Sequence, residues 1–434
     1  MYKLRQKTLK SNPKIQIDDL GNATSSNTGL ILVHEYLNKT KFLNKLYDIL
    51  KFNDDRYFSK YPETSILHQA IYQLVAGYNQ DRDANALRYD PIFQAILPHG
   101  VVSQSTFSRF LDRLARKCTL KAMHKLMASS ADDYINANPD QVFTLDADST
   151  NSATYGHQEN SSYNFHYHAK GYHPFVVFLA GSGLLVDAEL RPGNVYTSKD
   201  ADKFLKAILK RHPDQKFIVR TDSGFADPKI YDMLEKRQAD YVIRLKSNVR
   251  LVAQAQKLFR DNPGSRSKEI GTTYFYRSTY QARSWKHPRQ IIVMATLNKL
   301  LVPNFQFFIT TLDTLAPEEV VKVYRHRGTM ENYIKELKNG FYFDKTDSPK
   351  FAVNEVRMLL SAIAYNIIKS MENEVFPTSN EKKVLGTINT IRLKLMKIGA
   401  TFAYHARRLQ IHLTSSNPYD DLFWQVFDNI QMLS

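Results

Sequence analysis

Between Gln141 and Leu245 short apolar runs alternate with amphipathic segments, and this alternation restricts the fold more than any other feature. Val142-Phe143-Thr144-Leu145-Asp146-Ala147-Asp148 reads as a strand. Pro174 to Ala180 and Leu184 to Leu190 read as two more, joined by a Gly181-Ser182-Gly183 hairpin turn. Ala201 to Leu209 has helical spacing, Phe217 to Asp222 is a fourth strand, Pro228 to Lys236 a second helix and Tyr241 to Leu245 a fifth strand. Three strands, a helix, a strand, a helix and a strand predict an α/β fold: a mixed sheet flanked by helices.

Two of these strands end in acids. Asp148 precedes Ser149-Thr150, and Asp222 precedes Ser223-Gly224. Acids so placed project from the carboxyl edge of a sheet, where such folds collect their sites. Each alone also reads as a turn former or helix cap. Asp146, two residues before Asp148 and on the same strand face, is an alternative to it. A third acid, Glu331, stands in Tyr324-Arg325-His326-Arg327-Gly328-Thr329-Met330-Glu331, which continues to Lys338. At about 100° per residue, Tyr324, Arg327, Glu331 and Lys338 fall within roughly 60° around one helix. The plainer reading of Glu331 and Lys335 is an i, i+4 surface pair. Three acids so far apart in sequence converge only if a cation cancels their repulsion. Two magnesium ions would do so, and would activate water or a 3′-hydroxyl for in-line phosphoryl displacement.

The flanks are less regular. Residues 1–28 are polar and read as a flexible lead-in, and residues 29–140 have helical spacing. Ile66, Ile71, Leu74 and Val75 fit one helix there, and Leu120, Met123, Leu126 and Met127 another. Ser103 to Leu114 is a short helix that Ser103 can cap, with Phe107, Phe110, Leu111 and Leu114 inward and Arg109 and Arg113 among the outward residues. Following a helix that starts at Pro91, it fits a helix-turn-helix that binds DNA and equally an ordinary amphipathic helix. Residues 141–245 form the first part of the core, and 246–313 a β-rich insertion with strands expected at Lys268 to Arg277, Gln290 to Leu297 and Phe305 to Thr311. Pro317-Glu318-Glu319 opens a helix within 314–345, which Gly328 bends or splits. Residues 346–434 are expected to be helical.

Lys and Arg total 59 against 43 Asp and Glu, a net charge of +16 that favours a polyanionic partner. The single cysteine, Cys118, rules out an internal disulfide and a cysteine-rich zinc site, and is expected to pack as a small apolar group in a reducing cytoplasm. The longest apolar run, Phe175 to Val186, is too short and too interrupted to span a bilayer, so no membrane association is expected. His166, His168 and His173 are read as hydrogen-bonding groups and not as a structural metal site.

The spacing Tyr324-x2-Arg327-x3-Glu331-x6-Lys338 resembles the signature of the DDE transposases of bacterial insertion sequences, the cut-and-paste group. Asp148-Ser149-Thr150 and Arg220-Thr221-Asp222-Ser223-Gly224-Phe225 resemble that family's two aspartate motifs. The resemblance continues through Tyr155 to Glu159, Gly171 to Pro174, Arg191 to Asn194 and Thr390 to Lys394. It implies a ribonuclease-H-like catalytic core with a β-strand insertion, and two Mg2+ or Mn2+ ions held by Asp148, Asp222 and Glu331. It implies phosphate contacts from Arg327 and Lys338, with Tyr324 helping to position the strand. Ser223 stands where many relatives carry a basic residue. Trp285 falls in the insertion, where relatives use an aromatic residue to receive a flipped base; it also reads as a partly buried strand tryptophan. The implied partners are double-stranded DNA, as terminal inverted repeats and target, and a second copy of the chain. The implied place of action is the bacterial cytoplasm, at the nucleoid. The competing expectations are a metal-dependent nuclease that cuts without joining, and an inactive DNA-binding relative. A glycosidase with paired carboxylates is more distant, because the charge and the signature oppose it.

Overall fold

The structure, a computed structural model, describes residues 6–18, 21, 23–52, 59–262, 269–379, 382–383 and 386–433. Contacts divide the chain into two compact units, Met1–Thr119 with Ser370–Ser434, and Leu120–Lys369.

The first unit opens with an antiparallel pair, β1 (Gln6–Thr8) and β2 (Gln16–Asp18), then β3 (Thr24–Ser25). The described part of the expected lead-in is therefore structured, and Ser25, Asn27 and Thr28 are buried. Helices α1 (Leu30–Lys39), α2 (Phe42–Leu50), α3 (Glu63–Ala76), α4 (Asp83–Leu87), α5 (Pro91–Ile96) and α6 (Gln104–Leu114) follow. Helix α3 carries Ile66, Ile71 and Val75 inward as expected, and Ser65, His68, Gln69 and Gln73 are buried as well. Helix α6 buries Phe107, Phe110, Leu111 and Leu114. Helix α7 (Lys117–Asn136) buries Met123, Leu126 and Met127. Cys118 is exposed, against expectation. At about 100° per residue it lies roughly opposite Met127 on that helix.

The second unit is built on an eight-stranded sheet. Strand β4 (Phe143–Ser149) precedes a small three-stranded sheet of β5 (Ser152–Ala153), β6 (Ser162–Asn164) and β7 (Ala169–Tyr172). Then come β8 (Phe175–Leu179), β9 (Leu185–Glu189), α8 (Ala201–Arg211), β10 (Phe217–Thr221), α9 (Pro228–Lys236) and β11 (Asp240–Leu245), as the alternation predicts. Gly181 and Gly183 turn the β8–β9 hairpin at positive φ, +85° and +73°.

The expected insertion begins with a helix that its spacing did not announce, α10 (Val249–Asp261), capped by Asn248, whose Oδ1 accepts from the Leu251 amide at 3.0 Å. Strands β12 (Thr273–Tyr280), β13 (Arg289–Leu297) and β14 (Pro303–Thr310) follow. They extend the main sheet, because β14 pairs antiparallel with β11. The order is β12-β13-β14-β11-β10-β4-β8-β9, with β4, β10 and β11 parallel. The start of the expected first strand, Lys268, lies outside the described residues.

Strand periodicity feeds a core on each side of this sheet. Phe143, Leu145, Ala147, Tyr241, Ile243, Ile291 and Val293 join one cluster, with residues of α8, α9 and α10. Val242, Ile292, Met294 and Phe308 join the other, with Val320 and Val321 of α11 (Pro317–Arg325). A short 3-10 turn, His326–Gly328, separates α11 from α12 (Thr329–Phe341), so the helix is split as its glycine suggested.

Helix α13 (Phe351–Glu374) is long and apolar enough to cross a membrane by length and composition, but 78% of its most apolar window is buried within the protein, as in a core helix. The rest of the chain is not all helix. Two short strands, β15 (Thr378–Ser379) and β16 (Lys382–Lys383), precede α14 (Ile388–Ile391). After a π-helical turn comes an antiparallel hairpin, β17 (Ala400–His405) with β18 (Arg408–Leu413), and then α15 (Asp420–Gln431). The motif at Thr390 to Lys394 closes a helix end: Arg392 donates to Val75 O at 2.8 Å and Leu74 O at 2.7 Å, two carbonyls in the last turn of α3.

Candidate active site

Leu145 and Ala147 of β4 face the α8–α9 side of the sheet, so Asp146 and Asp148 face the α11 side. Arg220 and Asp222 alternate in the same way on β10 and just beyond its end. The register sets Arg220 beside Asp146 and Thr221 beside Ala147. The next pair outward is Asp148 and Asp222.

The inner row is neutral and closed. Arg220 donates Nε to Asp146 Oδ1 and Nη2 to Oδ2, each at 2.7 Å, and Nη1 to Val323 O at 2.6 Å. Asp146 is fully buried. Asp146 is therefore an ion-pair partner, and the alternative that made it a metal ligand is set aside. The third arginine bond meets a carbonyl in the last turn of α11, one of the groups a helix leaves unsatisfied.

The outer row is charged. Asp222 accepts from Gly224 N at 2.8 Å and so caps the 3-10 turn Ser223–Phe225. A Cβ at Gly224 would lie 3.0 Å from Asp222 Oδ1 and 3.1 Å from Thr197 Cγ2, which leaves little room for another residue. Asp148 accepts from Arg327 Nη2 at 2.6 Å and from Ser149 N at 2.8 Å. Burial pushes its carboxyl above the ordinary value; Arg327 opposes this, and the charge of Asp222 adds to it.

The remaining signature residues stand around this row. Tyr324 is half-buried against Phe308, ring centres 4.8 Å apart. Burial raises its phenol, and Arg327, Asp222 and Asp148 all act on it electrostatically. Lys338 donates to Asn151 O, just past the end of β4, and lies 3.8 Å from Asp344. Burial lowers its ammonium. Glu331 is exposed in the first turn of α12. Seven residues before Lys338, it lies within about 20° of the same helix face. Among the described residues no group of three or more His, Cys, Asp or Glu is close enough to hold a metal ion. The structure thus gathers Asp148, Asp222, Arg327 and Tyr324, with Lys338 of α12 bonded to the loop after β4, and leaves Glu331 outside that cluster.

Sequence reasoning missed one neighbour. Tyr167 donates to Ser149 O at 3.0 Å, and its hydroxyl is pushed up to about 12 by burial and then by Asp148 and Asp222. Asn164 Oδ1 holds its loop, accepting from His166 N at 2.9 Å and Tyr167 N at 3.2 Å. His166 packs edge-on to Tyr167, and buried His173 hydrogen-bonds Val195 O through Nδ1 at 2.9 Å. The aromatic run Tyr163 to Tyr167 was the available signal, but only its histidines were read. The glycines of two quoted motifs serve this region: a Cβ at Gly171 would lie 2.2 Å from Ser152 O, and one at Gly193 2.2 Å from Ser162 O.

Three other candidates have specific surroundings. Arg113 donates to buried Glu63 at 2.6 Å, which turns it inward from the face where a DNA contact was expected. Arg109 remains exposed on α6. Trp285 is only 8% exposed, edge-on to Tyr231 and Tyr280 and beneath Arg289, so in this structure it is a core side chain and not an open stacking platform.

A family model, "Transposase DDE domain group 1", matches residues 7–434. The chain belongs to this family of DDE transposases. No curated protein matches it. Among solved structures, the chain is similar to a piggyBac transposase in a synaptic complex with hairpin DNA, at 12% identity and a TM-score of 0.48, covering 86% of this chain and 81% of that one.

Proposed function

We propose that this protein is a transposase that cuts DNA at the ends of an insertion sequence and joins the freed 3′-hydroxyl to target DNA. The observation that carries the reading is the Asp148–Asp222 pair at the carboxyl edge of two parallel strands, met by Arg327 from the Tyr324-to-Lys338 signature. The order β9-β8-β4-β10-β11, a meander followed by two parallel strands, supports a ribonuclease-H-like core.

The donor set suits Mg2+ or Mn2+. Both aspartates offer only oxygen, and the buried like charge at Asp148 favours a nearby cation, a need that Arg327 meets in part. Asp148 and Asp222 would hold the ions, and Glu331, which this structure leaves outside their cluster, would have to move in to serve as the third ligand. When bound, they lower the pKa of water or a 3′-hydroxyl and offset charge on the leaving oxygen. The chain's own part is positional. Arg327 and Lys338 grip phosphates beside the scissile bond, and Tyr324 aligns the strand. Inverted-repeat recognition, action at the nucleoid and pairing of two ends by two copies belong to the same reading.

The test uses the full chain, Mg2+ and duplexes ending in the inverted repeats that flank the gene. Expected are metal-dependent cleavage and joined products, both lost in Glu331→Ala while specific binding persists. Cleavage without joining would make the protein a nuclease of this fold. Unchanged cleavage in Glu331→Ala would remove that residue from the site.

A further inference from the structure

From Gly386 to Tyr419 the chain has five Lys or Arg and no Asp or Glu. The β17–β18 hairpin lies in this stretch. Its base is fixed: Ala400 and Thr401 pair with Ser25 and Thr24 of β3, and Phe402 N donates to Ala23 O at 3.0 Å. Among the described residues, β17 beyond Phe402 pairs only with β18. Burial fades along the ribbon, from buried Ala400 through half-buried Thr401 and Phe402 to exposed Ala403, Tyr404 and His405. Tyr404 is 83% exposed, and among the described residues neither Arg407 nor Arg408 has an ion-pair partner.

The tip is strained. Ala406 and Arg407 adopt φ of +47° and +65°, a left-handed turn that Asn-Gly would make without penalty. Each such residue costs about 1 kcal/mol or more. Stability alone does not account for an arginine there.

We propose that this hairpin is an arm that grips duplex DNA, with Arg407 and Arg408 on phosphates and Tyr404 against the groove wall. A two-stranded ribbon fits the major groove, and an acid-free ribbon complements its charge. This rests on the transposase reading and adds a contact surface separate from Arg109 and from the Asp148–Asp222 site.

The test measures binding of the full-length protein to a labelled random-sequence duplex across a salt series. Replacing Arg407→Gln and Arg408→Gln together should lower the slope of log K against log salt by about 1.8, and weaken binding roughly tenfold or more at low salt. Arg407→Lys with Arg408→Lys should restore most of both. Ala406→Asn with Arg407→Gly relieves the turn while removing one charge, so it should lower the slope by about 0.9 with no fall in thermal midpoint. Lys206→Gln with Lys210→Gln, exposed on α8, is the control. If Arg407→Gln with Arg408→Gln loses no more than this control, the arm is overturned. If the wild type binds and cleaves normally while that happens, only the arm falls; if the wild type binds no duplex, the transposase reading falls with it.

Discussion

The two polar rows on β4 and β10 stand side by side on one face, yet they are opposites. Asp146 and Arg220 form a closed bidentate pair, fully buried on the acid's side. Asp148 and Asp222 repel, and a single arginine from outside the sheet reaches one of them. The first arrangement holds structure. The second leaves charge without a full set of partners, the arrangement that functional sites keep at a cost in stability and that the proposed function requires.

The contrast can be broken by experiment. Asp222→Asn should cut strand cleavage by about 10^3-fold or more while leaving specific DNA binding intact, measured on end-containing duplexes. Loss of binding by the folded variant would show that the outer row is structural after all. Asp146→Asn leaves Arg220 buried without its counter-charge. It should destabilise the protein by about 3–5 kcal/mol in denaturant unfolding, far more than any change at the outer row. A loss below about 1 kcal/mol would erase the distinction between the rows.

The outer row should behave in reverse. Asp148 has a carboxyl raised in the fold, so its contribution to stability is complete below the ordinary carboxylate value and is lost as pH rises through the raised one. Asp148→Asn should therefore gain stability over the wild type as pH rises through that range, by about 1 kcal/mol at neutral pH in denaturant unfolding. A difference that does not vary with pH would mean that burial and Asp222 do not act on this group. The smallest effect is at Lys338. Lys338→Ala should flatten the salt slope of DNA binding by about 0.9, one phosphate contact, and an unaltered slope would leave it as a tie to Asn151 alone.

Much of this site was legible because strand periodicity carries it. The alternation in Val142 to Asp148 and Phe217 to Asp222 placed both acids at strand ends, whereas the single helix face expected for Tyr324 to Lys338 is broken by the 3-10 turn His326–Gly328, which puts Tyr324 on α11 and Glu331 and Lys338 on α12. Long-range pairing was not legible. Nothing local shows that β14 would join β11 and make the insertion part of the main sheet. The β17–β18 hairpin escaped because its turn is Ala406-Arg407, without the Gly or Asn that marks such turns. Partners escaped as well: the spacing put Arg113 on an outer face, but only the fold supplies Glu63 beneath it. Trp285 looked available until Tyr231, Tyr280 and Arg289 closed around it.

The bonds from Arg220 to Val323 and from Arg327 to Asp148 also tie the helical segment to two neighbouring strands, β10 and β4. Sliding β4 by one residue past β10 would turn both of its aspartates to the opposite side of the sheet. The helical segment would then lose its Asp148 anchor, while Arg220, on β10, would keep its side of the sheet but lose Asp146. A chain with misaligned strands would hold the signature through β10 alone, so faulty pairing and the Asp148–Arg327 contact exclude one another.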